Sequence, residues 1–147
     1  MLVGISGSGK TSWLREHPKF KSVCPDLIRE ELTDNISDQT VSRAAWYIAF
    51  ARVYEYLKRE EHVVLDATNV NTFERRQFLM ALPKCYREAI LFPTDPLISI
   101  QRINEDITHS RKRVDVPIEI IYHQYGDFLY TQKVIYDEGF DRISEIL

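Results

Sequence analysis

The chain has 147 residues, a net charge of −3, and 44% apolar and 28% charged residues. These values suit one globular unit. They exclude an overall basic coat of the kind that binds nucleic acid non-specifically, while leaving room for a local basic patch, and no apolar run reaches membrane-spanning length.

Leu2-Val3 is a short apolar lead-in, and directly behind it stands GISGSGKT. Gly4, Gly9, Lys10 and Thr11 fit G-x-x-x-x-G-K-[ST], the phosphate-binding P-loop pattern. Glycines let such a loop wrap a polyphosphate with its N–H groups inward. The expected nucleotide-binding set is therefore Gly4, Ser6, Gly7, Ser8, Gly9, Lys10, Thr11 and Ser12. Lys10 would reach the β and γ phosphates of ATP, and the Thr11 hydroxyl would ligate Mg²⁺. A helix over 11–17 follows and is closed by Pro18. A P-loop at the start of the chain leaves no place for a signal peptide, so a cytoplasmic location is expected.

Short apolar runs then alternate with helical patterns. Lys21-Ser22-Val23-Cys24 reads as a second strand ending at Pro25-Asp26. A long helix is predicted over about 38–60 from the spacing of Val41, Ala44, Ala45, Ile48, Ala49, Val53, Tyr56 and Leu57. His62 to Asp66 reads as a buried strand with an acid at its end, followed by a helix near 72–82 and a strand over Glu88 to Phe92. Asp95-Pro96 starts a helix, and Val116-Pro117 opens another through about Tyr130. Lys133 to Tyr136 is predicted as a final strand, with a short terminal helix marked by Phe140, Ile143 and Ile146. The alternation predicts an α/β fold of the P-loop NTPase type: three layers, a central mainly parallel sheet and a helical lid. One domain is expected over 1–147, with the lid at about 105–117.

In such a sheet, ligands bind beyond the carboxyl ends of the strands. The P-loop, Asp26 and Asp66 should therefore converge on one crevice. Phosphoryl transfer needs cationic clamps, Mg²⁺ and a group that positions the nucleophile. Asp26 has the chemistry to take a proton from an acceptor hydroxyl. Arg29, one helical turn on, has the fork to hold an anionic group of the acceptor, although an N-capping Asp with a surface Arg fits the same pair. Asp66 is placed like a Walker-B acid on Mg²⁺. Thr68, Asn69 and Asn71 offer hydroxyl and amide groups over the same crevice, where Asp66, Thr68 and Asn69 are expected to help bind the acceptor, although turn formation would also place such groups there. Arg111 and Arg113 lie in the basic stretch His109 to Arg113, which suits a lid over the ATP phosphates or a solvated charge run. His17, His62, His109 and His123 show no ligand spacing, so a metal site of side chains alone is not expected. Cys24 and Cys85 form no motif and read as buried thiols.

GISGSGKTSWLRE, PDLIREEL, DATNVNTFERR and SRKRVDVPIEII occur in this order. Together they resemble the polynucleotide 5′-hydroxyl kinases among the small P-loop kinases, in particular the kinase domains of the bacteriophage polynucleotide kinase-phosphatases. The likeness runs from residue 2 to about 130. It implies Lys10 and Thr11 on ATP and Mg²⁺, Asp26 as general base, Arg29 on the phosphate of the acceptor nucleotide and Arg111 as the lid arginine. Arg113 or Arg102 would make the second lid contact. Asp66 stands one residue further from Thr68 than the family's acid does and follows the DAT form of the broader group. The expected activity is transfer of the γ-phosphate of ATP to the 5′-OH end of DNA or RNA. The alternatives are a small-molecule kinase acting on a nucleoside, sugar or antibiotic, and a nucleotide-binding switch with little turnover. Arg29 separates the first two, because a neutral acceptor requires no arginine there.

Overall fold

The computed structural model describes residues 1–108 and 116–146. Among the described residues five strands and six α-helices follow one another: β1 (Leu2–Val3), α1 (Lys10–Glu16), β2 (Lys21–Val23), α2 (Pro25–Thr33), α3 (Ser42–Lys58), β3 (Val63–Leu65), α4 (Thr72–Ala81), β4 (Glu88–Leu91), α5 (Pro96–Thr108), α6 (Ile118–Val134) and β5 (Arg142–Glu145). All strand pairs are parallel. One ladder has the order β1-β4-β5, with Val3 opposite Leu91 and Leu91 opposite Glu145; the other pairs β2 with β3, Val23 opposite Leu65. The ladders meet where β1 and β3 end. There the Gly4 N–H donates to the Thr68 carbonyl at 2.9 Å, and the Asn69 amide donates to the Leu2 carbonyl at 2.7 Å.

Strand alternation sorts the side chains into two faces. Leu2, Val64 and Phe92 pack together with Trp13 and Leu14 of α1. Val3, Ala89 and Leu91 turn to the cluster holding Ile103 of α5 and Ile121 and Phe128 of α6. Val23 and Leu65 pack with Ile28 of α2 and with Ala45, Ala49 and Val53 of α3, the last three one helical turn apart. Helices thus cover both faces of a parallel sheet, as the alternation in sequence predicts.

The helix starts follow local chemistry. Pro25 sits in the first turn of α2. Asn71 caps α4 by accepting the Glu74 N–H at 3.0 Å, and Asp95 accepts the Leu97 N–H at 2.8 Å at the head of α5. The helix predicted from 38 begins only at Ser42, because Asp38 caps a separate 3-10 turn over Gln39–Val41.

The carboxyl-terminal stretch differs from expectation. Lys133 to Tyr136 is not a strand: α6 runs on to Val134 and a 3-10 turn covers Ile135–Asp137. Ile135 continues the inward stripe of Ile121, Phe128 and Thr131 and is fully buried, so the helical repeat outweighs the β-branched run. Gly139, at φ 79°, then turns the chain. Arg142–Glu145 forms β5 in place of the expected helix, because the open edge of β4 offers it a full ladder. Cys24 and Cys85 are half-buried rather than buried.

Candidate active site

The loop between β1 and α1 is shaped by what only glycine tolerates. Gly7 has φ +81°, and a Cβ there would stand 2.7 Å from the Ser99 carbonyl oxygen of α5; Gly9 has φ +100° and forms the N-cap of α1. No side chain caps this helix and its first turn holds no acid, so the exposed Thr11 and Ser12 stand at an uncapped, positive helix end. The Lys10 ammonium is buried and donates to the Gly4 and Ile5 carbonyls at 2.8 Å each and to Ser8 Oγ at 3.3 Å. The loop's own oxygens thus hold the cation in the cradle. This donor set fits a polyphosphate.

The neighbouring strand ends bring two carboxyl groups to the same place. Asp26 stands in the first turn of α2 and Asp66 directly follows β3, where its N–H is tied to the Val23 carbonyl at 2.8 Å. Burial pushes the Asp26 carboxyl above its ordinary range, while Arg29 and Lys10 pull it back. Burial likewise raises Asp66, with Lys10 opposing and the Asp26 charge adding to the rise. Both carboxyl groups therefore feel Lys10, and Asp66 feels Asp26. The Cys24 thiol lies in the same field and is pushed up to about 11 by burial, helped by the two acids. Lys10, Asp26 and Asp66 thus lie within electrostatic reach of one another.

Arg29 is placed otherwise than an open phosphate grip would be. Its guanidinium is bonded to Asp26 Oδ1, donates from Nε to the Ile36 carbonyl at 3.2 Å and from Nη1 to Ser42 Oγ at 3.2 Å. Its side chain is 7% exposed, against 45% for Asp26. It ties α2 to the loop after it and to the start of α3. The Asn69 amide is also turned inward, donating to the Leu2 and Ala67 carbonyls as well as bracing β1. The Thr68 carbonyl accepts the Gly4 N–H. Arg111 and Arg113 lie outside the described residues. Arg102, on α5, does reach the loop: its Nη1 donates to the Gly7 carbonyl at 3.4 Å. Among the described residues no group of three His, Cys, Asp or Glu side chains could hold a metal ion, and no helix is long and apolar enough to cross a membrane.

A family profile described as AAA domain matches residues 1–128. The chain belongs to that AAA domain family. Its fold is the P-loop kinase fold, with a central parallel sheet between helices. Among solved structures, the AAA-family chain is similar to a shikimate kinase from Acinetobacter baumannii in complex with shikimate. The two share 20% identity over 99% of this chain and 82% of that one, with a TM-score of 0.53. A gluconokinase from Sinorhizobium meliloti 1021 is 14% identical over 94% of this chain and 95% of its own, with a TM-score of 0.44. No curated protein matches significantly.

Two features of this AAA-family site escape a linear reading. Arg75 is buried and forms a two-pronged pair with Glu138, Nε to Oε2 at 2.5 Å and Nη2 to Oε1 at 2.6 Å. It also donates to the Asn69 carbonyl at 2.6 Å and to Thr131 Oγ1 at 3.1 Å, while the Thr131 hydroxyl donates to the Val70 carbonyl at 2.7 Å. The loop that follows Asp66 is thus anchored to α6 and to the turn beyond it. The second feature is Gln124 of α6, whose Oε1 accepts the Ser6 N–H of the P-loop at 2.9 Å. The available signal was a polar residue on a buried helix stripe.

Proposed function

We propose that this protein is an ATP-dependent phosphotransferase acting on the hydroxyl of a small molecule. The observation that carries the choice of acceptor is the state of Arg29. A neutral acceptor was hard to reconcile with an arginine at this place, but the side chain has its own work: it is buried and spends three nitrogens on Asp26, Ile36 and Ser42. The solved shikimate kinase of this fold is named for a small hydroxylated acid, which agrees with the reading.

In this reading Lys10 and the N-terminus of α1 hold the ATP phosphates. Asp26, half-exposed and raised by its surroundings, takes the proton of the acceptor hydroxyl as that oxygen attacks the γ phosphorus in line. Arg29 orients the Asp26 carboxylate through their shared bond. Mg²⁺, for which Thr11 and Asp66 are the donors at hand, supplies charge neutralisation on the phosphates when bound. The loop, the base and the metal donors come from the ends of three neighbouring strands, so the sheet sets their spacing.

The order of the DLIR, DATN and SRKR motifs favours a second reading, in which the acceptor is a 5′-OH polynucleotide end. One screen separates the two. ATP labelled at the γ phosphate is offered with sugars, hydroxy acids, nucleosides, 3′-nucleotides, and 5′-OH DNA and RNA oligonucleotides. Transfer to a sugar, hydroxy acid or nucleoside in preference to oligonucleotides is the expected outcome. A preference for oligonucleotides and 3′-nucleotides establishes the second reading, and ATP binding without transfer to any acceptor reduces the chain to a nucleotide-binding switch.

A further inference from the structure

The inward stripe of α6 runs through Ile121, Phe128 and Thr131, all buried. Gln124 falls on the same stripe, three residues after Ile121 and four before Phe128. A carboxamide turned toward a core must find a partner or pay its desolvation. Its Oε1 meets the Ser6 N–H at 2.9 Å, across 118 residues of chain. On the other side of the loop, Arg102 of α5 donates to the Gly7 carbonyl at 3.4 Å, and the Ser99 carbonyl stands against Gly7. The Ile5–Ser6 and Gly7–Ser8 peptide units are therefore held from two different helices.

We propose that Gln124 is a positioning residue for the phosphate-binding loop. By accepting the Ser6 N–H it fixes the Ile5–Ser6 peptide plane at the entry to the loop, and so aims the N–H groups that follow toward the triphosphate. It acts through the loop and touches no phosphate. The inference rests on the ATP-binding reading above, and it adds a residue that neither the loop motif nor the strand ends point to. A loop set in advance loses less freedom when its ligand binds, so the contribution is to ATP affinity rather than to the chemical step.

The test is ATP·Mg²⁺ binding by calorimetry, with turnover and thermal unfolding, on the wild type, Gln124→Met, Gln124→Asn, Ser6→Pro and the Ser6→Pro/Gln124→Met double variant. Methionine keeps the volume and removes the acceptor; asparagine keeps the amide and falls one methylene short. Both should weaken ATP binding about five- to twentyfold, the loss of one hydrogen bond to a partly buried donor, with kcat at saturating ATP within about twofold. Proline deletes the donor, so Gln124→Met should have no further effect in that background. The Ser6 amide should exchange its hydrogen faster in Gln124→Asn, which decides the question if the proline variant does not fold. Unchanged ATP affinity in folded variants overturns the proposal, as does an equal loss in the Ser6→Pro background. A wild type that does not bind ATP·Mg²⁺ overturns the functional reading as well, and is told apart by the wild-type titration alone.

Discussion

The Arg29 guanidinium closes on the Asp26 carboxylate from one turn further along α2, and of the two it is the arginine that is buried. Its remaining bonds reach the Ile36 carbonyl and Ser42. Arg29→Ala should therefore lower stability by about 1.5–3 kcal/mol, the range for hydrogen bonds to charged groups, and reduce turnover on every acceptor alike. Denaturant unfolding and acceptor kcat/KM check this together. If the ratio of 3′-nucleotide to nucleoside falls tenfold or more in the variant, Arg29 grips an acceptor phosphate and the polynucleotide reading replaces the small-molecule one.

Lys10→Met should cut phosphoryl transfer by at least ~100-fold, the scale for removing one preorganised electrostatic stabiliser. Methionine keeps the unbranched stem of the side chain inside the loop and removes the ammonium, so circular dichroism should show the native helix content. Near-normal turnover in the folded variant would remove Lys10 from the reaction.

Asp26→Asn should abolish most transfer while leaving the ATP dissociation constant close to that of the wild type. Burial raises the Asp26 carboxyl above its ordinary 3.8, and a base acts only when unprotonated. In the wild type, kcat/KM should accordingly fall on the acid side with a midpoint above the ordinary 3.8 of an aspartate. A variant that loses ATP binding together with turnover would mark Asp26 as part of the nucleotide site instead.

Asp66 is raised in the folded state by burial and by Asp26. The native protein thus holds this proton more tightly than the unfolded chain does. The stability this confers is complete below the ordinary value of 3.8 and is lost as pH rises through the raised value. At neutral pH the buried charge is a cost, so Asp66→Asn should raise Tm at pH 7 and change it far less at pH 3.5. The measurement is the Tm difference between variant and wild type at pH 7, set against the same difference at pH 3.5. A fall in Tm at pH 7 would show that the carboxylate has stabilising partners that outweigh its burial.

Arg75→Met leaves the Glu138 carboxylate buried with its main partner gone. Breaking such a pair costs about 3–5 kcal/mol, and the loop after Asp66 should loosen with it. Arg75→Met combined with Glu138→Leu should recover much of the loss, since neither charge then remains buried. Urea unfolding of the two variants compares them, and equal stability in both would show that the pair is not coupled.

The sequence by itself determined the phosphate loop, because its glycines and lysine are contiguous and their conformational demands are local. It also determined the parallel α/β layering, since short strand runs alternate with helical patterns, and it made Asp66 legible as the acid directly behind an apolar strand. It misread the stretch after Thr131, where the helical stripe to Ile135 and the open edge of β4 outweighed a β-branched run. Tertiary structure alone decided what the long polar side chains do. Arg75 finds Glu138 63 residues away and Gln124 finds Ser6 118 residues away, and no local pattern encodes such partners. Arg29 shows the same limit at short range. Its spacing from Asp26 was legible, but its burial depends on where α3 and the Ile36 carbonyl pack, and that packing changes an apparent ligand grip into a brace for the proposed base.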